Sequence, residues 1–224
     1  MFLNSATRNY FHQKKHLKKE ITIAILLLLK TTMMLGQENK MEAGRLPGML
    51  SIGTRNTFSL FNDDNGTGKG IGGQARLQLS NRLGSEWFFD YITSKNGSST
   101  FRNDYHFGWS LMYYTAGGGK SESFLQPYIL AGHCFDYSKV TEQADKTNNA
   151  GRWSMATQAG LGTHLNFTSR LDCSLSAQYM LHFGKDLEAS TENGNVIIEK
   201  KDLTTPDGHF LVTISFNYQL LRIF

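Results

Sequence analysis

Between Phe210 and Phe224 the chain places Phe, Val, Ile, Phe, Tyr and Leu at even positions, and Thr, Ser, Asn and Gln at odd ones. Successive side chains of a strand point to opposite faces, so this alternation describes a strand with lipid on one side and a polar lumen on the other. Alternation of this kind, punctuated by Gly, Asn, Asp and Ser clusters, predicts eight strands at residues 50–61, 70–80, 86–94, 104–115, 124–138, 152–167, 171–184 and 209–222. No strong helical period interrupts them.

The sixth and seventh segments divide most cleanly. Trp153, Met155, Ala159, Leu161, Leu165 and Phe167 oppose Arg152, Ser154, Gln158, Gly160, Gly162, His164 and Asn166, and Leu171, Leu175, Ala177, Tyr179, Leu181 and Phe183 oppose Asp172, Ser174, Ser176, Gln178 and His182. In the fourth, Tyr105, Phe107, Trp109, Leu111 and Tyr113 oppose Asp104, His106, Gly108 and Ser110. The fifth is ambiguous, because turning Ile129, Ala131, Phe135 and Tyr137 outward carries His133 outward with them. A soluble β-sandwich also alternates, but its charges lie on the outer face. Here the charges, Arg55, Arg76, Glu86, Asp90 and Asp172, share the Gly/Ser/Gln/Asn face. The opposite face is nearly free of charge and sets Trp87, Tyr91, Tyr105, Tyr113, Trp153 and Phe167 near strand ends, where interfacial girdles lie.

The connections alternate as well. Residues 81–85 and 168–170 read as tight turns and 116–123 as a longer one, while 62–69, 95–103, 139–151 and 185–208 are polar and mostly longer, as loops outside the cell would be. The expected fold is therefore all-β, a closed eight-stranded antiparallel up-and-down transmembrane β-barrel over residues 50–224.

A different segment precedes it. Arg8, Lys14, Lys15, Lys18 and Lys19 stand before the apolar run from Ile21 to Leu29, an order that predicts a cleavable signal peptide over residues 1–36 and a short periplasmic segment over 37–49. The run is about half of the ~20 residues a spanning helix needs, and Lys30 closes it. Met34 departs from the small residue expected three places before a cut after Gly36, so the cleavage site itself stays open. With no Cys directly following the run, a lipoprotein anchor is not expected.

The leader also carries the charge balance. Residues 1–36 hold six of the 23 basic side chains and one of the 19 acidic ones, leaving 17 and 18. The sequence pI of about 9.0 thus belongs to the leader and gives no reason to expect nucleic acid as a partner. The 40% hydrophobic content and mean hydropathy of −0.35 fit a barrel, which conceals apolarity by alternation. Cys134 and Cys173 fall two strands apart and on opposite faces, which predicts two free thiols in an exported chain.

With these elements in place, the chain resembles the small eight-stranded outer-membrane β-barrel family, the OmpX- and OmpA-transmembrane-like porin family proteins of the Bacteroidetes type. The resemblance rests on Gln126-Pro127-Tyr128-Ile129-Leu130-Ala131-Gly132, on Ala159-Gly160-Leu161-Gly162 and on the terminal Phe224, and it covers nearly the whole chain after the leader. It implies a β-signal for the barrel-assembly machinery on Tyr218, Leu220 and Phe224. Arg222, at an expected apolar position, departs from that pattern, although at a rim an Arg can snorkel to headgroups.

Chemistry is sparse. An eight-stranded barrel has an interior just wide enough for side chains, so Arg55, Arg76, Glu86, Asp90 and Asp172 are expected to form a buried ion-pair network that plugs the lumen. His106 and Ser110 lie too far apart on one strand to act together, and Gly108-Trp109-Ser110-Leu111-Met112 lacks the closing Gly of a nucleophile elbow. Asp104, His106 and His182 converge near the outer mouth and form the one candidate metal set, weighed against ordinary lumen hydrogen bonding. No catalytic, cofactor or metal site is expected. Val196, Ile197 and Ile198 in the last loop could extend a hairpin and offer an edge to an extracellular partner. The leading expectation is a non-enzymatic outer-membrane barrel with a structural, adhesive or surface-binding role, in contact with outer-membrane lipid. A narrow channel or small-molecule transporter, and a soluble lipocalin-like barrel, are the alternatives.

Overall fold

The computed structural model describes residues 46–61, 67–96, 99–115, 124–192, 195–202 and 207–224. The expected leader at 1–36 and most of the segment after it lie outside the described residues. Ten strands follow: β1 (Met49–Phe61), β2 (Thr67–Gln78), β3 (Leu83–Asn96), β4 (Thr100–Tyr114), β5 (Leu125–Glu142), β6 (Asn149–Asn166), β7 (Leu171–Phe183), β8 (Lys185–Glu192), β9 (Asn195–Asp202) and β10 (Asp207–Arg222). β1 to β7 and β10 close into an antiparallel barrel in which β10 pairs with both β1 and β7, and β8 and β9 form a separate two-stranded ribbon. Closure leaves no barrel edge unpaired, the condition for placing a sheet in lipid.

Each of the eight anticipated strands is one barrel strand, with the same side chains facing inward. The parity of β5 is settled by its neighbours: His133 registers with Trp109 and Thr157, both outward, and its ring meets Phe135 edge-on at 4.9 Å. Pro127 lies near the start of β5, where its carbonyl accepts from Thr115 N at 3.1 Å.

Three expected loops are corrected. Most of 95–103 and 139–151 is strand: Lys95 pairs with Phe101 and Asn96 with Thr100, while β5 and β6 run 18 residues each and pair out to Thr141 and Asn149. Above the lipid the outer face meets water, so outward positions such as Lys95, Asn103 and Lys139 turn polar and the alternation that betrays the ladder fades, while Thr100, Arg102 and Val140 stay buried on the inner face. A membrane strand needs about 9–11 residues, and the surplus of β5 and β6 stands clear of the bilayer. Residues 185–208, also expected as loop, are largely the β8–β9 ribbon.

Outward positions form an apolar belt containing Ile71, Phe107, Leu161 and Phe216, each more than half exposed. Outward cations are confined to its ends: Lys69, Lys95 and Lys139 at the end bearing the long hairpins, Arg82, Arg170 and Arg222 at the end where β1 starts and β10 stops. The arginines turn back on the protein. Arg82 Nη1 and Arg170 Nη1 donate to the hydroxyls of Tyr113 and Tyr218 at 3.3 Å, and Arg222 Nε to the carbonyl of Pro47 at 3.0 Å. Among the described side chains, Cys134 is inward on β5 and Cys173 outward on β7, and both are free thiols.

Candidate functional site

The five charged side chains anticipated on the inner face come together in the lower lumen. Arg55 on β1 donates from Nε to both carboxylate oxygens of Asp90 on β3, at 3.0 and 3.1 Å, and from Nη1 to Glu86 at 2.8 Å and Gln74 at 3.0 Å. Arg76 on β2 donates to the other oxygen of Glu86 and, across the lumen, to Ser174 on β7 at 2.8 Å, with Asp172 at 3.6 Å. Asn217 on β10 donates to Asp172 at 2.8 Å and accepts from Gln74, which closes the circuit from β1 and β2 to β7 and β10. Every charged member is 5% exposed or less. Buried charges are tolerated only when paired and hydrogen-bonded, and this arrangement meets that condition with two guanidiniums against three carboxylates.

Sequence reasoning named the charges but not their polar partners. Gln74, His164, Ser174 and Asn217 have the same inward parity, and that was the available signal. His164 Nδ1 lies 2.9 Å from Ser174 Oγ, and its ring lies tilted against Tyr128 with centroids 4.6 Å apart. Tyr128 in turn lies across the bare backbone of Gly162, where a Cβ would collide with its ring.

Apolar side chains inside the barrel were not anticipated. Phe88, Ile92, Cys134, Ala156, Met180 and Leu211 form one buried cluster, and Met112, Tyr114, Tyr128 and Leu130 another. Phe88 bridges the two kinds of interior, with the Arg55 guanidinium 4.4 Å above its ring. Near the lower mouth a cavity of about 10 Å³, lined by Ser51, Arg76, Gln78, Met112 and Tyr114, has room for about one water. Its size makes it a packing gap and not a conduit.

Above the first apolar cluster lies a second polar layer. Asp136 on β5 accepts from Ser154 at 2.6 Å and lies 3.2 Å from His182 Nδ1, while His182 Nε2 lies 3.2 Å from His209 Nδ1. His106 stacks on His209 at 5.8 Å. Asp104 is bound instead by Arg102, whose Nε donates to its two oxygens at 3.0 and 3.2 Å. The set Asp104, His106 and His182 is therefore split between an ion pair and an imidazole stack, and among the described residues no group of three His, Cys, Asp or Glu side chains is placed to hold a metal ion. Asp136 and His209, which complete the layer, share the inward parity of their strands.

On the outside, Tyr91, Tyr105, Tyr137 and Trp153 fall in one register row across β3 to β6, with successive ring centroids 5.0, 6.2 and 5.1 Å apart. Above the lipid the β8–β9 ribbon meets the β5–β6 hairpin through Asn148, whose Nδ2 donates to Val196 O and to Glu142 Oε2, each at 2.8 Å. Leu187 on β8 is buried. Of the residues expected to form the assembly signal, Tyr218 and Leu220 lie outward at the base of β10, and Phe224 is exposed at its end.

No protein-family model and no curated protein sequence matches the chain. Among solved structures, it is similar to the outer membrane protein OprG from Pseudomonas aeruginosa, 16% identical with a TM-score of 0.50 over 80% of this chain and 98% of that one. Neisserial surface protein A is 13% identical over 77% of this chain and 96% of its own, with a TM-score of 0.48. The outer membrane protein AlkL, solved in lipid bilayers, is 15% identical over 84% and 97%, with a TM-score of 0.47. The likeness to OprG shows the fold, that of a small outer-membrane β-barrel.

Proposed function

We propose that this chain, an outer-membrane β-barrel by fold and by its apolar exterior, is a closed, non-enzymatic anchor whose structural, adhesive or surface-binding work is done by what projects beyond the lipid. The observation that carries this reading is the circuit from Arg55 and Arg76 to Asp172 and Asn217, which ties one wall of the lumen to the other. A permeating ion would have to part these pairs, each held in a site too dry to compensate the separated charges. The projecting part is built, since the 18-residue strands of β5 and β6 form a stalk against which the β8–β9 ribbon rests. A soluble lipocalin-like barrel is disfavoured, because it would need an apolar interior, whereas these inward positions carry Arg, Asp, Glu and His and the outward ones Phe, Trp and Leu.

Single-channel recording of the purified barrel in planar bilayers tests the plug. The expected record is flat, and uniform conductance steps would replace the anchor with the narrow-channel alternative. Detergent partitioning tests the membrane placement separately, because recovery in the aqueous phase would overturn it.

A further inference from the structure

We propose that the lipid-facing side of β2 to β5, at the end bearing the long hairpins, docks the phosphorylated headgroup of a membrane lipid. The row of Tyr91, Tyr105, Tyr137 and Trp153 marks a depth, because amphipathic rings settle where acyl chains give way to headgroups. Tyr137 lies over Gly151, where a Cβ would overlap its hydroxyl and the adjoining ring carbon. The next outward row, two residues higher, is Lys69, Thr93, Asn103 and Lys139 in continuous register, and Lys95 stands one outward step above Thr93 on β3. Two residues rise about 7 Å along a strand, which puts the ammonium groups at headgroup height while their stems lie along the apolar surface.

Three observations separate this patch from a generic basic rim. First, among the described residues none of the three lysines has a hydrogen bond or ion pair, whereas Arg82, Arg170 and Arg222 at the other end already donate to protein oxygens. Second, the described outward positions of β2 to β6 contain no Asp or Glu, so nothing on that face competes for the charge. Third, the rim is one-sided: on β7, β10 and β1 the outward positions near the same end are Leu181, Phe183, Phe210, Phe58 and Leu60. A partner complementary to both the lysines and the rings beneath them carries phosphate above acyl chains. That is a lipid, and not a free anion.

The inference rests on the outward face lying in lipid, and the test separates the two. The full chain is folded into phosphatidylcholine vesicles, with the electrophoretic shift between folded and heated forms confirming insertion. Failure to insert would overturn the membrane placement. Energy transfer from tryptophan to dansyl-labelled diphosphoryl lipid A, measured on the inserted barrel, reports association, and the comparison of variants assigns it to one end of the barrel. Each lysine near an anionic surface is worth roughly five-fold, so K69Q/K95Q/K139Q is expected to weaken association roughly a hundred-fold, to the level of dephosphorylated lipid A. R82Q/R170Q is expected to leave it unchanged. Should the triple variant not fold, the wild-type comparison of phosphorylated with dephosphorylated lipid A decides the matter without any variant. Equal association of the two lipids, or an unchanged triple variant, would overturn the proposal. Displacement by inorganic phosphate at equal phosphorus concentration would also overturn it, by assigning the patch to a free anion.

Discussion

Arg55 and Asp90 meet across a strand that lies between them: β2 separates their strands, and Gly72 of β2 registers with both. The ion pair lies over the bare backbone at Gly72, where a Cβ would overlap the Asp90 carboxylate and the Phe89 carbonyl. Replacing Gly72 with Val is therefore expected to cost about 2–4 kcal/mol, through overpacking and a displaced charge. Urea unfolding of the barrel in phospholipid vesicles measures it, and an unchanged midpoint would show that the pair can move aside at no cost.

Removing Arg55 leaves Asp90 and Glu86 short of a buried partner. Arg55→Leu is expected to lose about 3–5 kcal/mol, and most of that loss is expected to return in the R55L/D90N combination, which removes the orphaned Asp90 charge while Glu86 keeps Arg76. The same unfolding experiment reads both. Equal losses in the single and double variants would show that packing by the Arg55 stem, and not charge, accounts for its effect.

Cost on the outer face should follow depth. Phe107 is 62% exposed within the belt, so Phe107→Lys is expected to destabilise the inserted barrel by about 2–4 kcal/mol, while Lys139→Arg at the rim changes it by less than about 1 kcal/mol. The comparison is made in one lipid, by unfolding from vesicles. Similar values at the two sites would contradict lipid contact at Phe107.

Asn148 is the clasp between the β5–β6 turn and the β8–β9 ribbon. Asn148→Ala is expected to speed trypsin cleavage at the exposed Lys200 severalfold, while the heat-dependent electrophoretic shift of the barrel stays as in the parent. An unchanged cleavage rate would place the hold on the ribbon elsewhere, with the buried Leu187 the next side chain to truncate.

Phe224→Asp is expected to lower the yield of inserted barrel during biogenesis in cells, following the resemblance that implies an assembly signal at Tyr218, Leu220 and Phe224. Refolding of the same variant into vesicles should proceed normally, because Phe224 lies beyond the last ladder pair at Arg222. Unaltered insertion in cells would remove Phe224 from the signal.

The strands were legible because the two sides of the barrel wall are different solvents, so each inward or outward choice leaves a polar or apolar mark with a period of two. Arg55, Arg76, Glu86, Asp90 and Asp172 were legible for the same reason, each being a charge on the polar face. Phe88 and Ile92 were not. A narrow interior is filled by volume as well as by polarity, and their alternation with Glu86 and Asp90 hides among outward aromatics on the same strand. The extensions of β3 to β6 beyond the lipid were equally silent, since their outward positions meet water and are polar like the inward ones.

By itself, then, the order of residues determined the number of barrel strands, the facing of most of them and the membrane as the solvent outside, because these follow from polarity read one residue at a time. Tertiary structure decided what no single strand can state. Arg76 of β2 reaches Ser174 of β7, His106 stacks on His209 instead of joining Asp104, and Lys69 falls in register with Lys139 above a row of rings. Those relations depend on register, tilt and closure, which set the distances between strands, and distance decides whether a charge is paired, stacked or left for a partner outside the chain.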